Sequence, residues 1–356
     1  MSLEKIEELQ KELSKTKYNK KTQHHIGLIK AKIAVLNEKA SSGGGGKGEG
    51  YTVRRTGDAT VVIVGFPSVG KSSLLNLLTN ADSEIGHYEF TTLTVIPGML
   101  NYKHAKIQVL DVPGIIEGAA SGRGKGKEII SVMRNADLLL FLIDCNKPEQ
   151  YKLILHEVRK AGLRPNEEKP DVKIIKTAKN GIRISTTVKL ELTEETVKDV
   201  LKTFRINNGD ILIRDKINID QFIDCIEANK KYLPGIIVAN KIDICKNLKK
   251  LDRIKPDIKT SALKKKNIEE LKELIFKSLS FIRIYMKEPG KDADLEEPLI
   301  MREGNTVKSV CEKLHKAFIK NFKFCKVSGP SSKFANQKLG LMHVLKDEDI
   351  LELHMK

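Results

Sequence analysis

The chain has 356 residues, 63 Lys+Arg against 46 Asp+Glu and a formal charge of +17, a surplus that points to a polyanionic partner. Its longest uninterrupted apolar stretch, Leu138–Ile143, is far short of the roughly 18 residues that span a bilayer. The acid-bearing opening MSLEKIEELQ has no leader-like apolar segment, so a cytoplasmic protein without membrane contact is expected.

Residues 1–40 carry two apolar stripes at helical spacing: Leu3, Ile6, Leu9 and Leu13, then Ile26, Ile29, Ile33 and Leu36. They predict an antiparallel helical hairpin bent near His24, His25 and Gly27. The stretch SSGGGGKGEG that follows cannot hold a packed element and reads as a flexible joint, so residues 1–50 form a first segment. From Thr60, apolar β-branched runs alternate with helical segments: VVIVG (61–65), KIQVLDV (106–112), DLLLFLID (137–144) and GIIVANKID (235–243). Runs of this kind belong to a parallel sheet buried on both faces, which predicts an α/β, doubly wound fold over 51–163 and 234–280.

The intervening 164–233 is too long for a plain loop and must carry an inserted α+β domain. There Ile182, Ile184, Thr186, Val188, Leu190 and Leu192 alternate as a strand, and Thr193 can cap a helix with apolar Val197, Val200, Leu201 and Phe204. DILIR (210–214) reads as another strand, before a helix faced by Ile219, Phe222, Ile223 and Ile226. Residues 281–356 read as a small separate module: a strand at 299–302, a helix capped by Thr306 with Val307, Val310, Cys311, Leu314 and Phe318 buried, then two strands. The five cysteines, Cys145, Cys225, Cys245, Cys311 and Cys325, are widely spaced without a C-x-x-C pair, so reduced, buried thiols are expected rather than disulfides or zinc.

Gly65-Phe-Pro-Ser-Val-Gly70-Lys71-Ser72 leaves a strand and enters an apolar helix. This is the phosphate-binding pattern G-x-x-x-x-G-K-[ST] in its proper context. The glycines let backbone N–H groups wrap phosphates at a helix N-terminus; Lys71 reaches the β- and γ-phosphates and the Ser72 hydroxyl ligates Mg²⁺. Gly65, Pro67, Ser68, Val69, Gly70, Lys71, Ser72 and Ser73 are the candidate nucleotide-binding residues here. Asp111-Val-Pro-Gly114 ends the next apolar strand, where Asp111 can hold Mg²⁺ and the Gly114 N–H can touch a γ-phosphate. Asn240-Lys241-Ile242-Asp243 follows GIIVA; Asp243 supplies the carboxylate that accepts from the two N–H groups on one edge of guanine. Adenine lacks that pair of donors, so ATP is disfavoured. Ser261-Ala262-Leu263 fits the loop whose backbone N–H meets the base oxygen.

In this order the motifs resemble a translation-factor-class GTPase. The segments GFPSVGKSSLL, YEFTTLTVIPGML, DVPGIIEGAASGRGKGKEIISVMRNADLLLFLID and RTGDA resemble the developmentally regulated GTP-binding proteins, within the Obg-related group, over essentially the whole chain. The resemblance implies a P-loop GTPase domain, an insert similar to a ribosomal-protein domain and a C-terminal TGS domain of β-grasp fold. It also implies Mg²⁺-dependent hydrolysis of GTP to GDP and association with the ribosome or its RNA, with a regulatory protein on the TGS domain. Thr92 becomes the switch threonine that joins Mg²⁺ and the γ-phosphate, with Thr91 competing, so Lys71, Thr92 and Gly114 form the catalytic set and Ser72, Thr92 and Asp111 the metal set.

The second switch is expected over Ile115 to Arg134, with Gly118, Gly122, Gly124 and Gly126 freeing the backbone. Ile115 stands where Ras-like proteins carry a water-orienting glutamine, which implies slow intrinsic turnover. Related potassium-stimulated GTPases often have Asn where this loop has Ser68, leaving a K⁺ requirement open. Lys264, Lys265 and Lys266, with Lys313, Lys316, Lys320, Lys323 and Lys326, are the densest basic runs, and phosphate attraction from them would be salt-sensitive. The alternative from a different class is an RNA- or ribosome-binding scaffold for which GTP is a structural ligand.

Overall fold

The computed structural model describes residues 2–17, 19, 22–42, 56–79, 96–112 and 126–356. In chain order, α1 (Ser2–Lys15) and α2 (Gln23–Ser42) precede β1 (Ala59–Val64), α3 (Lys71–Leu78), β2 (Ile96–Tyr102), β3 (Ala105–Asp111), α4 (Gly126–Asn135), β4 (Leu138–Asp144), α5 (Gln150–Lys160) and β5 (Leu163–Pro165). The insert holds β6 (Val172–Lys176), β7 (Ile182–Thr186), α6 (Glu194–Thr203), β8 (Gly209–Ile213) and α7 (Ile219–Glu227). The chain returns through β9 (Lys231–Leu233) to β10 (Gly235–Asn240), β11 (Ile258–Lys259) and α8 (Ile268–Ser278). It closes with β12 (Phe281–Lys287), β13 (Leu299–Arg302), α9 (Val307–Leu314), α10 (Lys316–Lys320), β14 (Phe322–Ser328), β15 (Gln337–Leu339) and β16 (Asp349–Met355). Two compact units result: 1–50 with 167–232, and 51–166 with 233–356.

In the first unit the N-terminal helices and the insert fold together. Gly27 contributes: a Cβ there would lie 3.2 Å from Ile219 Cδ1 and 3.3 Å from Thr196 Cγ2, so the missing side chain lets α2 sit close to α6 and α7 without displacing those tips. Lys30 pairs with Asp220 at 2.7 Å, and His24 Nδ1 lies 3.1 Å from Thr196 Oγ1. The bend between α1 and α2 sits earlier than the sequence suggested. Asn19 Oδ1 accepts the Thr22 N–H at 2.9 Å and its carbonyl accepts Gln23 N–H at 2.9 Å, which starts α2 before His24, His25 and Gly27. Thr193 caps α6 through the Thr196 N–H, and Asn218 with Gln221 forms a capping box on α7. The predicted strand 182–192 stops at Thr186, whose hydroxyl donates to the Val188 carbonyl at 2.6 Å and turns the chain. Val197, Val200, Leu201, Ile211, Ile213 and Phe222 fill the core beneath a three-stranded sheet of order β6-β8-β7.

The second unit contains a six-stranded sheet of order β11-β10-β4-β1-β3-β2, parallel except for β2. Both faces are covered. Val62, Val64, Leu139, Phe141 and Ile143 pack on one side, and Val61, Ile63, Leu138, Leu140 and Leu142 on the other. The unpredicted β2 is an edge strand, which tolerates Pro97 because an edge needs no N–H there.

The C-terminal residues form a mixed sheet of order β13-β12-β16-β14-β15 against α9. This module has a core of its own, as the sequence reading expects, and its first two strands also pack on the six-stranded sheet's second core. Alternate residues of β12 and β13 face different cores: Ile282 and Met301 fill the interior of the C-terminal module, whereas Phe281 and Ile300 pack with Ile268, Leu271, Ile275 and Phe276 around α8. The predicted helix at 306–318 is also broken, with His315 in extended conformation between α9 and α10 and Leu314 at 38% exposure.

Candidate nucleotide-binding site

In parallel α/β sheets, ligands bind beyond the C-terminal strand ends. Here that edge carries Gly65 after β1, Asp111 at the end of β3, Asp144 at the end of β4 and Asn240 at the end of β10. The loop from Gly65 to Ser72 needs its glycines for contact reasons as well as conformation. Gly70 has φ +94, and a Cβ on it would meet Asn240 Nδ2 at 2.7 Å; a Cβ on Gly65 would meet the Leu142 carbonyl at 2.6 Å. Val69 is buried, Pro67, Ser68, Ser72 and Ser73 are exposed, and Lys71 is half-buried.

The Lys71 ammonium donates to the carbonyls of Gly65 at 3.3 Å and Phe66 at 3.2 Å. Burial pulls its pKa below the ordinary lysine value, and the nearby Asp111 charge opposes that shift. A bound phosphate would add negative charge beside it and favour the protonated form. Ser72 Oγ donates to Asp111 Oδ2 at 2.8 Å. Asp111 is 7% exposed, and its Oδ1 is buried without a hydrogen-bond partner. An orphaned carboxylate oxygen is costly, and a hard oxygen pair of this kind suits Mg²⁺. Thr92 and Gly114, the other predicted metal and catalytic residues, lie outside the described residues, as does Ile115.

The candidate base side is built around Asn240, which is fully buried. Its Nδ2 donates to the Val69 carbonyl at 2.9 Å, and its Oδ1 accepts from Ala262 N–H at 3.0 Å and Thr260 Oγ1 at 3.4 Å. Asn240 is therefore a strut joining the phosphate loop, the base loop and the Ser261 loop. Lys241 Nζ reaches the Ser68 carbonyl at 2.6 Å and Asp144 Oδ2 at 3.0 Å. Asp243 accepts from Ser261 Oγ, which in turn accepts the Lys264 N–H at 3.1 Å. The Ser261 hydroxyl, with smaller help from the Lys264 and Lys241 charges, holds the Asp243 carboxyl below its ordinary pKa. The Ala262 N–H already serves Asn240, and the Leu263 side chain is 83% exposed.

Sequence reasoning passed over Asp144, Cys145, Asn146 and Thr260, all of which contact the loop Asn240–Lys246. The available signal was an acid closing an otherwise apolar strand. Two of the basic residues also have internal duties: Lys313 donates to the Ile300 carbonyl at 2.6 Å and pairs with Asp58, and Lys326 pairs with Glu352 at 2.9 Å. Lys264, Lys265, Lys266, Lys316, Lys320 and Lys323 are exposed. No helix among the described residues is long and apolar enough to cross a membrane.

Residues 60–177 match the family described as 50S ribosome-binding GTPase, residues 179–281 the C-terminal region of that GTPase domain, and residues 282–355 the TGS domain. An uncharacterised GTP-binding protein of Methanocaldococcus jannaschii is 50% identical, with 99% of this chain and 93% of that protein covered. Developmentally-regulated GTP-binding protein 2 of Homo sapiens is 40% identical over 99% of each chain. Ribosome-interacting GTPase 1 of Saccharomyces cerevisiae is 42% identical over 100% of this chain and 99% of that one. A P-loop GTPase domain followed by a TGS domain, related along its whole length to such proteins, places the chain in the family of developmentally regulated GTP-binding proteins.

Proposed function

We propose that this GTP-binding protein hydrolyses GTP to GDP with Mg²⁺, slowly on its own, and that the two nucleotide states switch its association with the ribosome. The observation that carries the hydrolytic reading is the buried, unpartnered Asp111 Oδ1 beside Ser72 Oγ and Lys71. Ser72 and Asp111, with Thr92, would hold Mg²⁺, which supplies charge neutralisation on the β- and γ-phosphates. Lys71 adds positive charge to the same oxygens, and Asp243 fixes the guanine. Water attacks the γ-phosphorus, the bond to the β–γ bridging oxygen breaks, and Thr92 and Gly114 register the loss of the γ-phosphate. The aliphatic Ile115 side chain offers no hydrogen bond to that water, which supports slow turnover unless a partner or a monovalent cation assists.

The ribosomal half of the proposal draws on the yeast relative's name and on the exposed lysines of the C-terminal module and the Ser261 loop. A cytoplasmic location and a regulatory protein on the TGS domain belong to the same reading. Single-turnover GTP hydrolysis tests it, in sodium and potassium buffers, with and without Mg²⁺, for wild type and Lys71→Ala. Mg²⁺-dependent turnover lost in Lys71→Ala is expected. Tight GTP binding with no turnover in any buffer, ribosomes included, would leave the nucleotide as a structural ligand of a scaffold.

A further inference from the structure

We propose that the turn Asp144-Cys145-Asn146 is a positioning element for guanine selectivity, holding the loop Asn240–Lys246 in the one shape that aims Asp243 at the base. This inference rests on reading Asn240–Asp243 as the base loop. Asp144 and Asn240 are register partners at the ends of adjacent parallel strands, so the two loops leave the sheet side by side.

Every residue of the turn then grips the other loop. The Cys145 N–H donates to the Asn240 carbonyl at 3.0 Å, and its thiol to the Lys241 carbonyl at 3.0 Å. Burial pushes that thiol up to about 12, so it stays protonated and able to donate. Asp144 Oδ2 accepts from Lys241 Nζ at 3.0 Å, while Oδ1 accepts the Asn146 N–H at 2.9 Å and braces the turn. Burial works against the Asp144 charge, but the Asn146 N–H and Lys241 outweigh it and hold the carboxyl below its ordinary pKa. Asn146 then holds the far end of the loop, donating to the Ile244 carbonyl at 3.4 Å and accepting the Lys246 N–H at 3.1 Å.

Asp243 sits between these anchors at 241 and 244–246, on a single 3₁₀ turn, Ile242–Ile244. Strain in the backbone explains why so many anchors converge there. Lys241 has φ +63, a left-handed conformation that costs a residue with a Cβ some energy and is held here by several bonds. Both its carbonyl and its ammonium are tied to the turn, and the ammonium is tied to the phosphate loop as well. Loosening those ties would let the loop relax and swing the carboxylate off the paired donors of guanine, where selectivity is decided by whether both bonds form.

The test compares GDP with inosine diphosphate, which lacks the exocyclic amine that Asp243 reads. Affinities for both are measured calorimetrically for wild type, Asp144→Asn and Asn146→Ala, with melting temperature alongside. Asp144→Asn keeps an oxygen for the Asn146 N–H and removes the charge that holds Lys241; Asn146→Ala removes only the outer anchor. Each is expected to weaken GDP about tenfold and inosine diphosphate less than about threefold, shrinking the preference between them. Equal losses for both nucleotides, or a preference within about twofold of wild type in both variants, would make the turn merely structural and overturn the proposal. An Asp243→Ala control that keeps the wild-type preference would instead overturn the reading of the base loop itself.

Discussion

Phe281→Ala is expected to destabilise the GTPase half of the molecule and not only the TGS half. Phe281 is 7% exposed and meets Phe276 of α8 edge to face, with centroids 5.6 Å apart. Truncating a buried phenylalanine to alanine costs about 3–5 kcal/mol, of which an aromatic pair accounts for about 0.5–1.5 kcal/mol. The ion pairs at the same junction, Arg302–Asp137 at 2.8 Å and Lys313–Asp58 at 3.3 Å, have cations that are 48% and 41% exposed. Their carboxylates are only 9% and 20% exposed, but Asp137 keeps the Thr60 N–H and each cation is partly solvated, so Arg302→Ala should cost less than Phe281→Ala.

The chain has no Trp, so unfolding is best followed by release of a fluorescent guanine nucleotide in urea. Its concentration must be held fixed, because ligand shifts the midpoint. Set against a total stability of about 5–15 kcal/mol, the expected loss moves the nucleotide-release midpoint markedly. A loss below about 1 kcal/mol for Phe281→Ala, or an unchanged midpoint in a chain ending at residue 280, would refute the shared core.

Asp243→Asn should shift preference from guanine to xanthine nucleotides, because the carboxylate acceptor becomes an amide with a donor; undiminished GTP affinity would remove Asp243 from the base site. The Asp243 pKa is depressed by the Ser261 hydroxyl, so its carboxylate persists on acidification and guanine affinity should fall only as pH drops through that lowered value. Ser261→Ala raises the pKa and should move the loss to higher pH, and coincident profiles in an affinity titration would contradict this assignment. Ser72→Ala should abolish hydrolysis by removing a Mg²⁺ ligand, and wild-type single-turnover rates would exclude that role. Ribosome binding should weaken steeply with salt in co-sedimentation, whereas a flat response would mean the +17 charge only solubilises.

The site was legible where chemistry dictates local spacing. The candidate segments Gly65–Ser72, Asp111 and Asn240–Asp243 each stand out within a few residues, because a phosphate, a metal or a base would demand particular groups on one short loop. Asp144 does not, since its partner Lys241 lies 97 positions away and nothing in either segment alone reveals the pairing. Asn240 shows a subtler limit: its place was readable, but its work as a buried strut to Val69 and Ala262 emerges only from three loops meeting.

In the fold, β12 was missed because Ser280, with φ +50, makes the turn after α8 without the glycine or proline that would have marked it. β2 was not predicted because Pro97-Gly98 interrupts the apolar run of what is an edge strand. The alternation from 182 to 192 overshot because a side-chain hydrogen bond at Thr186 ends the strand while the apolar spacing runs on.

The central claim is a nucleotide-controlled switch on the ribosome, and co-sedimentation with purified ribosomes at fixed salt tests it most directly. Wild-type protein would be loaded with GDP, with a non-hydrolysable GTP analogue, or with neither. The account predicts retention with the GTP analogue and release with GDP, and loss of that difference in Ser72→Ala. Equal retention in all three states by the wild-type chain would contradict it.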